Sequence, residues 1–152
     1  GALLNISIGQ GELLVTPIQV FNYVNLLATR GLAQTPHFVR VDQLPENIHP
    51  NFESNIWDRI VSDMRAVIAD EKGTGKNAQP NVPGFKVFGK TGTAENSHGE
   101  NHAWFLGWAE YYDKKYSIVV LVENGGSGGT IAAPIAHQVF SQIINYNDMA
   151  TR

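Results

Sequence analysis

The chain has 152 residues, one ordinary domain's worth, and 43% of them are hydrophobic, so a core can form. Net charge is −3 with no basic block, which argues against nucleic acid as a partner, and the absence of cysteine excludes disulfides and a thiol nucleophile. Charged residues make up only 16%, a sparse coat that implies some of the surface is normally covered. The apolar runs are far too short to cross a bilayer, and no signal peptide is visible; a targeting segment of an exported parent is expected upstream of Gly1.

Residues 1–15 are Gly-rich, mostly uncharged, and read as a loop or short extended piece. A helix is predicted over 17–30. Thr16 is a good N-cap, Pro17 suits the first helical position, and Gln19 completes a capping box. Val20, Tyr23, Val24 and Leu27 give it an apolar face, and Gly31 is a plausible stop at C′. Residues 31–53 hold three of the seven prolines and read as an irregular connection, with a short strand at Phe38–Val41. A second helix is predicted over 54–69, with Ile56, Ile60, Met64, Val67 and Ile68 as its buried stripe.

The last third changes character. Residues 85–94, 102–112 and 115–124 are rich in Val, Phe, Trp, Tyr and Ile and are separated by turn residues. They read as three antiparallel strands in sequence order, the last two joined tightly around Asp113 and Lys114. A final helix is predicted over 131–146, capped by Thr130, with Pro134 tolerated in its first turn. The fold class is α+β: three antiparallel strands with flanking helices.

Phe88-Gly89-Lys90-Thr91-Gly92-Thr93-Ala94 is the most informative stretch. Glycine weakens a strand interior and marks close approach by a ligand or another chain. A lysine among small residues on an edge strand presents a cation to a carboxylate, and the hydroxyls of Thr91 and Thr93 can donate to the same anion. Free N–H groups of such an edge can hold an extended peptide or face a developing oxyanion. Alone, K-T-G is weak, because lysine on an edge strand is also a common guard against aggregation.

The surroundings strengthen it. Ser7-Ile8-Gly9-Gln10-Gly11, followed by Thr16-Pro17-Ile18-Gln19, resembles the S-I-G-Q-G and T-P-x-Q segment of class B penicillin-binding proteins, the elongation type above all. Gly89 to Ala94 is similar to that family's third motif, His102 to Ala109 to the strand after it, and Glu123 to Gly126 to the end of the next. These blocks stand in family order across residues 5–130.

The resemblance implies part of the penicillin-binding transpeptidase fold, which is serine β-lactamase-like. It implies a parent enzyme that cross-links peptidoglycan stem peptides through a serine acyl-enzyme, is acylated by β-lactams, and works outside the cytoplasmic membrane behind an N-terminal anchor. It carries a catalytic role to Lys90, carboxylate binding to Thr91 and Thr93, close substrate approach to Gly92, and half of the oxyanion hole to the Thr93 backbone N–H. No cofactor or metal is implied. The expected partners are stem peptide, β-lactam and the remainder of the transpeptidase domain.

One departure stands out. A serine transpeptidase needs S-x-x-K and S-x-N. Ser7, Ser54, Ser62, Ser97, Ser117, Ser127 and Ser141 are followed three places on by no lysine and two places on by no asparagine. The chain therefore reads as the C-terminal part of the domain, inactive alone, with the nucleophile upstream. The rival readings are a non-catalytic peptide-binding or sensor domain of the same fold, and a serine β-lactamase fragment. The resemblance also makes the 115–124 strand central in the intact sheet, so its open edge is expected to support a homodimer.

Weaker signals favour plain structural roles. Gly73–Asn77 lacks the residues of a phosphate loop. His98, Glu100 and His102 lack an evident fourth metal ligand, Gly125–Gly129 reads as a turn rather than an anion nest, and Trp104, Phe105 and Trp108 read as core.

Overall fold

The computed structural model describes residues 2–11, 13–32, 35–39 and 50–150. Its elements are α1 (Ala2–Ser7), α2 (Pro17–Ala28), α3 (Ser54–Ala69), β1 (Lys86–Ala94), β2 (His102–Tyr111), β3 (Lys114–Val122) and α4 (Ala133–Ala150). A short 3-10 turn, Lys76–Ala78, precedes β1, and a π-helical turn, Gly128–Ala132, leads into α4.

The sheet is an antiparallel meander in the order β1-β2-β3, as the strand pattern predicts. Its register sets Lys90 opposite Leu106 and Gly92 opposite Trp104. β2 and β3 turn through Tyr112 and Asp113, with Tyr112 at φ 54°, so Tyr112 belongs to the turn rather than to the strand. Lys115 sits directly across from Glu110 and pairs with it at 3.1 Å, while its Nζ donates to the Ala28 carbonyl at 2.7 Å. One lysine thus ties the hairpin to a carbonyl left over at the end of α2.

Two cores lie on opposite faces of the sheet. On one, α2 and α3 bury Val24, Leu27, Ala28 and Trp57 against Phe88 and Trp108, whose rings stack at 5.0 Å. On the other, α4 and the π turn bury Ala132, Ala136, Phe140 and Ile144 against Val87, Ala103, Phe105 and Ala109. Phe105 and Trp108 are fully buried and belong to the core, whereas Trp104 is only half-buried and joins neither core.

Several local expectations are corrected. Residues 2–7 are helical rather than loop. The capping box at Thr16 is present, but α2 ends at Ala28. Its closing bonds run from Arg30 N–H to the Leu27 carbonyl and from Gly31 N–H to the Leu26 carbonyl. Arg30, at φ 55°, therefore holds C′ and Gly31 the place after it. On α2, Tyr23 is exposed and Ala28 takes its place in the core. On α3, Ile56 is exposed and Trp57 is buried, because a bulky indole one position on reaches under the sheet. Phe38 and Val39 lie in a bend rather than a strand, and residues 40 and 41 fall outside the described residues. Thr130 does not cap α4; it lies inside the π turn, where its hydroxyl donates to the Ser127 carbonyl at 3.4 Å.

Candidate active site

β1 is an edge strand, and its outward groups can be read from the bonds they make. Val87 N–H donates to Gln79 Oε1 at 3.2 Å, and the Val87 carbonyl accepts from Arg65 Nη1 at 2.7 Å. At the other end the Thr93 carbonyl accepts from Gln10 Nε2 at 3.0 Å. None of these partners belongs to β2. In an antiparallel ladder alternate residues turn both backbone groups to the same side, so residues 87, 89, 91 and 93 face outward. The N–H groups of Gly89, Thr91 and Thr93 therefore point away from β2 along the open edge.

Side chains alternate across the strand in the same way. Thr91 and Thr93 project toward the π-turn face. The Thr91 hydroxyl lies 2.7 Å from that of Thr74, in the turn before the 3-10 segment. Thr93 Oγ1 accepts the Gly128 N–H at 3.4 Å, which leaves its own O–H to donate elsewhere. Lys90 projects toward the other face, is exposed, and folds over the rim so that Nζ donates to the Thr91 carbonyl at 2.6 Å. An anion lying along the edge would meet hydroxyls from one side and an ammonium from the other.

Gly92 is half-buried, and its backbone is pressed by the π turn. A Cβ on Gly128 would stand 2.2 Å from the Trp104 carbonyl oxygen and 2.3 Å from that of Gly92. Only a residue without a side chain lets the turn lie this close to the paired backbones of β1 and β2. Asn77 Nδ2 holds the Gly129 carbonyl at 3.0 Å. Between these parts runs an open groove of about 500 Å³, lined by Lys90, Thr91, Gly92 and Thr93 with Thr74, Lys76, Gly129 and Thr130 on the facing wall.

The structure thus brings together all four residues singled out in the sequence, Lys90 to Thr93. The wall opposite them, Thr74 and Gly128 with Gly129, was not singled out as site residues. Gly73–Asn77 and Gly125–Gly129, which the sequence reads as a loop and a turn rather than phosphate or anion loops, meet each other on one face of the K-T-G strand. Arg65 and Gln79 were missed as well. Burial lowers the Arg65 guanidinium pKa below its ordinary value, and the guanidinium also lies 5.9 Å over the Phe88 ring. Leaving either Val87 backbone group without its partner would cost about 1–3 kcal/mol.

His98, in the loop between β1 and β2, and His102, at the start of β2, are used locally. His98 Nδ1 lies 2.9 Å from Ser97 Oγ, and His102 Nδ1 accepts the Asn124 N–H at 3.0 Å. Among the described residues no three His, Asp or Glu side chains converge to hold a metal ion. Nor is any described helix long and apolar enough to cross a membrane.

The family model of the penicillin binding protein transpeptidase domain matches residues 1–141 of this chain. The chain belongs to this family. The solved structures it is similar to include proteins of the penicillin-binding protein 2 type. It is 29% identical to the peptidoglycan D,D-transpeptidase MrdA of Haemophilus influenzae, across 95% of the chain and 26% of that protein. It is also 29% identical to the peptidoglycan D,D-transpeptidase PbpA of Mycolicibacterium smegmatis, across 85% of the chain and 29% of that protein. In three dimensions it is similar to PBP2 of Pseudomonas aeruginosa, solved with WCK 5153, at a TM-score of 0.79 and 33% identity, covering 93% of the chain and 33% of that structure. The chain spans about a quarter of the length of the curated relatives it matches.

Proposed function

We propose that the β1 edge is the substrate-carboxylate and oxyanion wall of a serine D,D-transpeptidase that cross-links peptidoglycan stem peptides and is acylated by β-lactams. The observation that carries this reading is the outward Thr93 N–H beside Lys90 and the hydroxyls of Thr91 and Thr93. A backbone donor fixed in a strand costs no reorganisation when charge develops on an acyl oxygen. Lys90 supplies the cation for the terminal carboxylate and for the proton network around the nucleophile. Thr91 and Thr93 donate to that carboxylate, and Gly92 lets the peptide backbone come near. No step here calls for a cofactor. The nucleophile and its base come from the preceding part of the same domain, and the parent protein works outside the cytoplasmic membrane.

The test is acylation. Intact-mass spectrometry after incubation with benzylpenicillin is expected to show one stoichiometric adduct on the parent protein, at a serine of an S-x-x-K outside this chain. The 152-residue chain alone is expected to show none. An adduct on one of its own serines would overturn the assignment of the nucleophile to the preceding part of the domain. A parent with no adduct and no S-x-x-K would favour the peptide-binding reading.

The far edge of the sheet supports a second part of the proposal. β3 pairs only with β2 among the described residues, and Ser117–Val122 carries no charge and no proline. In the parent this edge takes a further strand of the same domain. In the isolated chain the same groups pair with a second copy, so light scattering across a concentration series is expected to show a dimer. A strictly monomeric chain with rapid amide exchange at Val119 and Leu121, whose N–H groups face away from β2, would show the edge simply left to water.

A further inference from the structure

Gln10 lies far from the K-T-G strand in sequence, yet it makes the contact that ends it. α1 is closed by two backbone bonds, Gly9 N–H to the Ile6 carbonyl at 3.0 Å and Gln10 N–H to the Asn5 carbonyl at 2.9 Å. That pair is the Schellman closure, and it requires the left-handed φ of 76° found at Gly9. Gln10 is therefore held at a defined place just past the helix, with its side chain against the end of β1.

The side-chain amide makes two bonds there. Nε2 donates to the Thr93 carbonyl at 3.0 Å, and Oε1 accepts the Glu95 N–H at 3.3 Å. Only this orientation of the amide satisfies both groups. A carbonyl at one residue and an N–H two residues on are what a single residue of a parallel neighbouring strand would bond. Gln10 thus occupies the outward edge just where β1 ends, and it holds the peptide groups on both sides of Ala94. At the opposite end Gln79 and Arg65 occupy Val87 in the same manner. The outward backbone left between them runs from Gly89 to the N–H of Thr93.

We infer that Gln10 is a positioning residue for acyl transfer. It fixes Thr93 so that its N–H faces the groove, and it closes the edge so that a strand-added peptide stops at Thr93 instead of running past it. The inference rests on the transpeptidase reading of this edge. Gln10 does not touch the reacting atoms; it acts through Thr93. Displacement of a positioned donor by about 1 Å typically lowers rate by roughly 100-fold, so a partial loss of positioning is expected to cost about 10- to 100-fold.

The parent protein, Gln10→Ala and Gln10→Glu are to be mixed with a fluorescent penicillin, reading burst amplitude and acylation rate constant separately. Gln10→Glu keeps an acceptor for Glu95 but loses the donor to Thr93. The expected result is full amplitude in all three proteins, with the rate constant about 10- to 100-fold lower in both variants. An unchanged rate constant overturns the inference. So does a loss confined to amplitude, which marks a purely structural residue. Should Gln10→Ala fail to fold, the near-isosteric Gln10→Glu decides by the same two readings. A wild-type parent with no burst overturns the transpeptidase reading itself, which separates that failure from the failure of the positioning role.

Discussion

Gly128→Ala in the parent protein is expected to lose about 3 kcal/mol of stability and nearly all acylation by β-lactam. The added methyl would sit 2.2 Å from the Trp104 carbonyl oxygen and 2.3 Å from that of Gly92. Neither is the far end of a flexible side chain; both are backbone of strands paired to each other. The turn must therefore move, and its movement withdraws the Gly128 N–H from Thr93 Oγ1 and disturbs the wall facing the groove. Chemical denaturation monitored by fluorescence gives the first number, and penicillin burst kinetics the second. A variant of wild-type stability and wild-type burst would show that the turn is not seated on β1 as described.

Lys90→Ala is expected to separate the same two quantities. Lys90 is exposed, and among the described residues its ammonium is bound only to the carbonyl of the next residue, so folding should change by less than about 0.5 kcal/mol. Acylation of the parent should fall by about 100- to 1,000-fold, the range for losing one electrostatic stabiliser of an acyl-transfer transition state. Lys90→Arg should rescue little, because a planar fork does not replace a compact ammonium folded over a strand rim. Unchanged acylation in Lys90→Ala would reduce Lys90 to an edge guard.

The three strands and α3 were legible because each carries a dense local signal: β-branched and aromatic residues between turn residues, or an apolar stripe at helical spacing. α1 was not, since a six-residue helix offers no periodicity to read, and its stop at Gly9 is visible only in the backbone angle. The candidate site residues Lys90 to Thr93 stand out in the sequence because they are contiguous. Their supports were not. Gln10, Arg65, Thr74, Gln79 and Gly128 reach β1 from four other segments; Gln10 stands out only as part of the Ser7–Gly11 block, with nothing to show what it touches, and the others are ordinary where they stand. Gly128 shows the difficulty well: in Gly125-Gly126-Ser127-Gly128-Gly129 every glycine looks like turn chemistry, and nothing local marks the one whose missing Cβ seats the turn.

The bond between Gln10 and Thr93 spans 83 residues, whereas β1, β2 and β3 are joined by short connections. Closing a long loop costs chain entropy before any contact repays it, and local pairings form first. The meander is thus expected to assemble early, around Phe105 and Trp108, while α1 docks last onto an edge that already exists. The β1 edge would then pass through a stage in which its strand is built but its end is still unplugged, open to any extended chain nearby. A mutation that weakens α1 would lengthen that stage while leaving the sheet intact, and its cost would fall on folding yield in the cell more than on the stability of the protein once made.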